Sequence, residues 1–449
     1  MSLWRLIVED YGKIKRAEID VAPLTMFVGD NNSGKSYLMA LLWGIQELGI
    51  TALIGDEYVD TEDINSVVEW IYQQISIAIT NKKHEVLLGE ISELLETVLN
   101  NELQKNKEKF VRNIFNSNAI DIGKLEIKLE NMTDKKLSFE CIDGSGMVDI
   151  SYGNTGGIGI SKKILEEKWD GAYDLKWLLI RIIYSVCLGA ELFETERAHN
   201  IYLPAARTGF MLTKDIINKV GRKNTFNFYK EKEEIGPFTR PINHFLDVMG
   251  DLSLDAMGKE ANLKLVSQLE SEMTDGTIEI SNMPNKEVQY VPNGYDKGFP
   301  LRLSSAVVTE LAPLILILKH KKDITSFYYE EPEMCLHPQL QNKVGKTICR
   351  MVNSDIQMLI TTHSDILIQH INNMIKLSKH RECKEICGRF GYIQSDLLSA
   401  KQVKVYQLKA KTNEKTIVEE LKCGENGFVV STFNDALDDI MDEAYEIQG

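Results

Sequence analysis

Apolar and polar residues alternate over 3–8 and again over 15–21, the period of strands with one covered face; Tyr11-Gly12-Lys13 reads as the turn between them. Residues 24–28 break the alternation with a continuous apolar run, as a strand buried on both faces does. A helical period follows over 36–48 and returns over 64–114, through Val67, Trp70 and Ile71, then Val86, Leu88, Ile91, Leu94, Leu95 and Val98. Two strands are expected at 124–129 and 136–142, joined as a hairpin through 131–134. The glycine-rich stretch 144–159 reads as a loop, and 174–193 as helix. Residues 200–207 form a strand stopped by Pro204, and 213–272 is helical with many polar positions. A hairpin over 277–280 and 287–290 turns at Met283-Pro284-Asn285. Beyond it come a helix to about Lys319, strands at 326–330 and 358–362, and closing strands at 403–408 and 416–421. The last stretch, 431–447, puts Phe433, Leu437, Ile440 and Met441 on one helix face among six acids.

Strands alternating with helices make the chain α/β, with a mixed sheet and flanking helices. Four regions are expected: 1–48, holding the first strands; 49–199, a mainly helical insertion with a hairpin; 200–300, a second lobe; and 300–449, the return to the sheet. Trp4–Val8, followed at once by Glu9-Asp10, is too short for a secretion leader, and no apolar run is long enough to span a membrane, so the chain is placed in the cytoplasm. Seven scattered cysteines suit a reducing compartment. His380, Cys383 and Cys387 are either a metal cluster lacking a fourth ligand or two helical cysteines. The formal charge of −15 argues against a surface devoted to nucleic acid, so the lone chain is expected to bind it weakly. Lys105, Lys107, Lys109 and Arg112 are either a local contact for it or a solvated helix face.

The chemistry starts at the end of the buried strand. Gly29, Gly34, Lys35 and Ser36 stand at the spacing G-x-x-x-x-G-K-S. Glycines let the backbone fold around a phosphate with several N–H groups turned inward, at the N-terminus of the following helix. Lys35 then reaches the outer phosphates and the Ser36 hydroxyl is placed to hold Mg²⁺. The nucleotide-contacting set is Gly29, Asn32, Ser33, Gly34, Lys35, Ser36 and Tyr37. Two later strands end in Glu330-Glu331 and in His363. Paired carboxylates after a strand can be helix-start charges, and a strand-end histidine can be merely exposed. At a phosphate site, Glu330 can hold Mg²⁺ through its water shell, Glu331 can align or deprotonate the attacking water, and His363 can hydrogen-bond that water or the γ-phosphate. Arg207, just beyond a strand end, is a phosphate contact, a partner-subunit contact or a surface arginine.

The ordered set Gly29–Ser36, Leu303-Ser304-Ser305-Ala306, Glu330-Glu331-Pro332-Glu333, Leu336-His337-Pro338 and Thr362-His363 resembles the ABC-type ATPases. It is most similar to the overcoming-lysogenization-defect and RecF/SMC-like branch, the AAA-15 and AAA-21 types, which includes ATPase subunits of anti-phage systems such as PARIS and Septu. The resemblance implies a P-loop ATPase head that binds ATP and Mg²⁺. It also implies a homodimer, or a higher homo-oligomer, in which Ser304 closes over ATP held by the other subunit. A separately encoded effector, a nuclease, is the implied partner. The stretch after Ser364 is short for the Toprim nuclease that some relatives carry. Ala306 stands where the signature usually has glycine, which puts tight closure in question, and the family's Q-loop glutamine falls on Gln73, Gln74 or neither. The rivals are a DNA-maintenance ATPase and a scaffold that binds ATP but scarcely hydrolyses it.

Overall fold

The computed structural model describes residues 4–55, 61–130, 136–142, 144–152, 158–162, 175–189, 199–213, 238–253, 257–281, 287–410, 414–431 and 441–447. Strands β1 (Trp4–Tyr11), β2 (Ile14–Asp20) and β3 (Leu24–Gly29) come first. β4 (Lys83–Leu87), β5 (Lys124–Leu129), β6 (Lys136–Ile142), β7 (Met147–Tyr152) and β8 (Ile158–Ser161) fall in the expected insertion. β9 (Asn200–Leu203), β10 (Gly276–Ile280), β11 (Val288–Pro292) and β12 (Phe299–Pro300) follow. β13 (Ser326–Glu330), β14 (Gln357–Thr362), β15 (Val403–Lys409) and β16 (Thr416–Leu421) complete the set.

A nine-stranded mixed sheet runs in the order β5-β1-β2-β16-β15-β3-β14-β13-β9. From β15 to β9 every neighbouring pair is parallel; β5, β1 and β2 are antiparallel, and β16 joins the two halves. Alternation along the strands sorts side chains into two cores. Phe27, Tyr328 and Leu359 face the helix Lys35–Glu47 and the insertion. Met26, Val28, Phe327, Tyr329, Met358 and Ile360 face the helices Ala306–His320, Pro338–Val352 and Asp365–Ser378. Cover on both sides is why these strands read as unbroken apolar runs.

Register is what builds the site. Glu330 pairs with Thr361 across β13 and β14, and Thr362 pairs with Val28 across β14 and β3. Three parallel strands therefore end side by side, and the candidate residues Gly29–Ser36, Glu330-Glu331 and His363 follow at or just past those ends.

Several local expectations change. Val86 lies in β4, antiparallel to β6, and the helical stretch divides into Glu62–Asn81 and Ser92–Phe115. The segments 124–129 and 136–142 are both strands but do not form a hairpin. β5 joins the main sheet beside β1, whereas β6 sits in a separate sheet of order β4-β6-β7-β8. The glycine-rich stretch holds two strands, because Val148, Ile150 and Ile160 bury their side chains beside Phe139. Its Gly144 and Gly146, at φ 80° and 65°, make the turn into β7. The β10–β11 hairpin pairs as expected, although its tip at 282–286 lies outside the described residues. So do 214–237 of the helical stretch and 432–440 of the C-terminal segment, which hold Phe433, Leu437 and Ile440; residues 441–447 are helical and exposed.

Lys105 pairs with Glu102 at 2.5 Å and Lys107 donates to Gln104 at 3.1 Å, so part of the basic run is tied within its own helix. Cys383 and Cys387 stand one turn apart on the helix Cys383–Phe390, with sulfurs 3.9 Å apart. Among the described residues no group of three metal-ligating side chains occurs, and no helix is long and apolar enough to cross a membrane.

Candidate active site

The loop after β3 is shaped by backbone constraint. Gly29 has φ 129°, and a Cβ there would lie 2.1 Å from the Leu408 carbonyl oxygen on β15, so no other residue fits. Gly34, at φ 102°, leads into the helix Lys35–Glu47, and Asn32 also takes positive φ, at 61°. Ser33 is buried, whereas Asn32 and Ser36 are exposed. The Tyr37 N–H donates to Gly34 O at 3.1 Å, and the N–H groups of Lys35 and Ser36, which begin the helix, have no carbonyl one turn back within it, so an anion is favoured at this end.

Lys35 bends back over the loop. Its Nζ donates to Gly29 O at 3.0 Å, Asp30 O at 2.7 Å and Ser33 Oγ at 3.5 Å. Burial lowers its pKa to about 8, opposed by the charges of Glu331, Asp30, Glu333 and Glu330. One ammonium is thus set among four carboxylates. Tyr37 packs its ring edge-on against Phe115, 5.5 Å between centroids, and beside Tyr11 and Gly12.

Glu330 is held by β9 and the segment after it: Tyr202 OH donates to Oε1 at 2.9 Å and the Ala205 N–H to Oε2 at 3.0 Å. Each oxygen keeps a lone pair, and Glu330 and the exposed Ser36 hydroxyl offer oxygen donors, the kind a hard cation such as Mg²⁺ prefers. Glu331 follows at φ 43°, a conformation few residues with a Cβ adopt. Its N–H donates to Thr361 O at 3.0 Å, which pins the turn to β14. Its Oε1 lies 3.6 Å from His363 Nε2, just beyond hydrogen-bond length. Burial, then the charge of Lys35, lowers the His363 pKa, so the ring is neutral at pH 7.

Two contributors were not legible as such in sequence. Glu333 Oε1 accepts from Thr362 Oγ1 at 2.8 Å and from the His363 N–H at 2.7 Å, fastening the end of β14 to the carboxylate turn. Its other oxygen is buried without a hydrogen-bond partner, and burial raises its pKa. Arg207 contacts neither solvent nor the loop: it is fully buried behind Glu330 and Glu331, which overturns all three expectations for it. The only sequence signal for its place was Pro204, which stops β9.

Ser304 precedes the helix Ala306–His320, but Ser305 is its cap, its Oγ accepting from Val308 N at 3.4 Å. The Ser304 Oγ is buried and has no hydrogen-bond partner. Ala306 is the first residue of a right-handed helix, so its Cβ carries no left-handed strain and the glycine departure is conformationally harmless. Gln73 is exposed and Gln74 is hydrogen-bonded at 2.9 Å to His84, both within the insertion. No described contact joins either to the site.

Residues 193–368 match the AAA ATPase domain family (AAA_15). The match takes in Arg207, Ser304, the Glu330–Glu333 turn and His363, and begins after the glycine loop 29–36. No curated protein matches the sequence. Among solved structures, an SMC head bound to the C-winged helix domain of ScpA aligns at 11% identity over 93% of this chain and 97% of its own, TM-score 0.38. The SMC head domain from Thermotoga maritima aligns at 11% over 94% and 100%, TM-score 0.34. An SMC head with an extended coiled coil, bound to the C-terminal domain of ScpA derived from Pyrococcus furiosus, gives 11%, 99% and 99%, TM-score 0.36. The domain match and the strand-end site together support an α/β ATPase domain.

Proposed function

We propose that the chain binds ATP at the phosphate loop and hydrolyses it when two copies close on each other. The observation that carries this reading is Glu331, held at φ 43° where three parallel strands end, with His363 Nε2 3.6 Å from its carboxylate. Glu331 orients a water for in-line attack on the γ-phosphorus and takes its proton as the bond to the ADP oxygen breaks. Lys35 offsets charge on the outer phosphate oxygens, and His363 hydrogen-bonds a γ-oxygen or the water. Ser36 and Glu330 would hold Mg²⁺, which when bound supplies positive charge to those same oxygens. Ser304 completes the site from the second subunit.

By its resemblance to subunits of anti-phage systems, this ATP-dependent state governs a separate effector, a nuclease, in the cytoplasm. The charge of −15 supports a protein partner over direct nucleic-acid clamping. The helical conformation of Ala306 removes the main reason for preferring a non-hydrolysing scaffold.

Purified wild-type protein is expected to hydrolyse ATP, and Lys35→Ala to bind it at least ~10-fold more weakly with an unchanged circular dichroism spectrum. Equal ATP affinity in calorimetry for the two proteins would remove the assignment of the phosphate loop. A pH dependence follows from the same lysine. Free Lys35 titrates at about 8, and bound phosphates raise that value, so its contribution to binding is complete below about pH 8 and fades as pH rises above it. ATP affinity is expected to drop by up to ~10-fold between pH 7 and pH 9. In Lys35→Ala the decline should flatten; an identical slope in both proteins would show that another group titrates.

A further inference from the structure

Arg207 takes no part in the chemistry above, yet its side chain is the most heavily engaged near the site. It is wholly buried, as is Glu310, its ion-pair partner on the helix Ala306–His320. Nη1 donates to Pro204 O at 3.1 Å and to Glu330 O at 2.7 Å, and Nη2 donates to Glu331 O at 2.9 Å. The guanidinium lies 4.7 Å from the centre of the Tyr329 ring. Thr208 Oγ1 donates to the other Glu310 oxygen.

The carbonyls of Glu330 and Glu331 flank the backbone dihedrals of Glu331 itself. One rigid planar group therefore clamps both sides of the residue that holds left-handed φ, while the bond to Thr361 holds its N–H. A buried ion pair is weak evidence of a stabilising role, since apolar residues of similar volume often do as well. Glu310 lies one turn into the helix that Ser304 and Ser305 lead, on the same rigid element.

We propose that Arg207 and Glu310 are positioning residues that fix the orientation of the Glu331 carboxylate and tie it to the helix led by Ser304 and Ser305. Contact at the start of that helix then bears on the catalytic turn of the same subunit. This role rests on the hydrolytic reading of the site.

The test compares wild type with Arg207→Lys, the neutral double variant Arg207→Met/Glu310→Gln, and Thr208→Val. In the double variant kcat should fall at least ~30-fold while KM and the calorimetric Kd for ATP stay within about threefold. Arg207→Lys keeps the charge without the fork, so kcat should be intermediate; Thr208→Val should lose a few-fold. In a Glu331→Gln background the double change should alter single-turnover hydrolysis less than about twofold, because the group it acts through is gone. A merely structural role predicts full multiplication of the two effects, and that result overturns the proposal. So does unchanged kcat in a folded double variant. Should that variant fail to fold, unchanged kcat in Arg207→Lys and Thr208→Val overturns it instead. A wild type that binds ATP and never hydrolyses it overturns the hydrolytic reading and this role together, whereas active variants beside an active wild type overturn this role alone.

Discussion

Glu331→Gln protein is expected to bind ATP with nearly wild-type affinity and to turn it over ~10²-fold more slowly, or worse. Glutamine keeps the side chain's length and shape but cannot take a proton from the attacking water. The backbone should not change, since the turn is held by main-chain bonds to Thr361 and Arg207 that are indifferent to the side chain. The other phosphate-handling groups, Lys35 and the loop N–H groups, remain. Slow hydrolysis with intact binding should trap the ATP-bound state, so a dimer should accumulate on ATP addition and be visible by light scattering. Rapid turnover in the variant would move the role of base elsewhere. Glu333 is poorly placed for it, because one of its oxygens is committed to Thr362 and the His363 N–H.

How much of this was legible in the sequence depends on how local the cause is. The shape of the glycine loop after β3 could be read because its requirement is a backbone one: Gly29 sits where a Cβ would strike Leu408 O, and the helix begins at once. The ends of β13 and β14 could be read because apolar runs buried on both faces stop abruptly at charged or polar residues. Pairing could not. β5 and β6 are adjacent in sequence, which favours a hairpin, but partner choice is set by which faces need cover. The glycine-rich stretch misled because turn residues outnumber the few apolar side chains that commit β7 and β8. Arg207 was least legible: its charge suggests solvent or phosphate, and only folding brings Glu310 and two backbone carbonyls around it.

The second large effect is a recovery of activity from two inactive proteins. If Ser304 completes the site across a two-fold interface, each nucleotide lies between one subunit's Lys35 and the other's Ser304. Lys35→Ala homodimers then have two sites without the lysine. Ser304→Arg homodimers have two sites blocked by a bulky cation. Because the Ser304 Oγ is buried, the arginine must turn outward, and circular dichroism should show both variants folded. Ser304 is not the helix cap, so the Ser305 bond to Val308 survives its replacement. In a mixed dimer both lesions fall in one site, and the other joins an intact phosphate loop to an intact Ser304. Mixing should therefore restore activity, up to about half of wild type per mixed dimer if the sites act independently, and less if they are coupled. The controls are differently tagged subunits, to prove exchange, and a wild-type/mutant dimer, to prove that one intact site can work alone. A Ser305→Ala variant, expected to lose ~1 kcal/mol of stability through the cap, separates helix fraying from loss of the shared contact. With exchange and single-site activity demonstrated, mixtures that stay inactive would place Ser304 outside the nucleotide site.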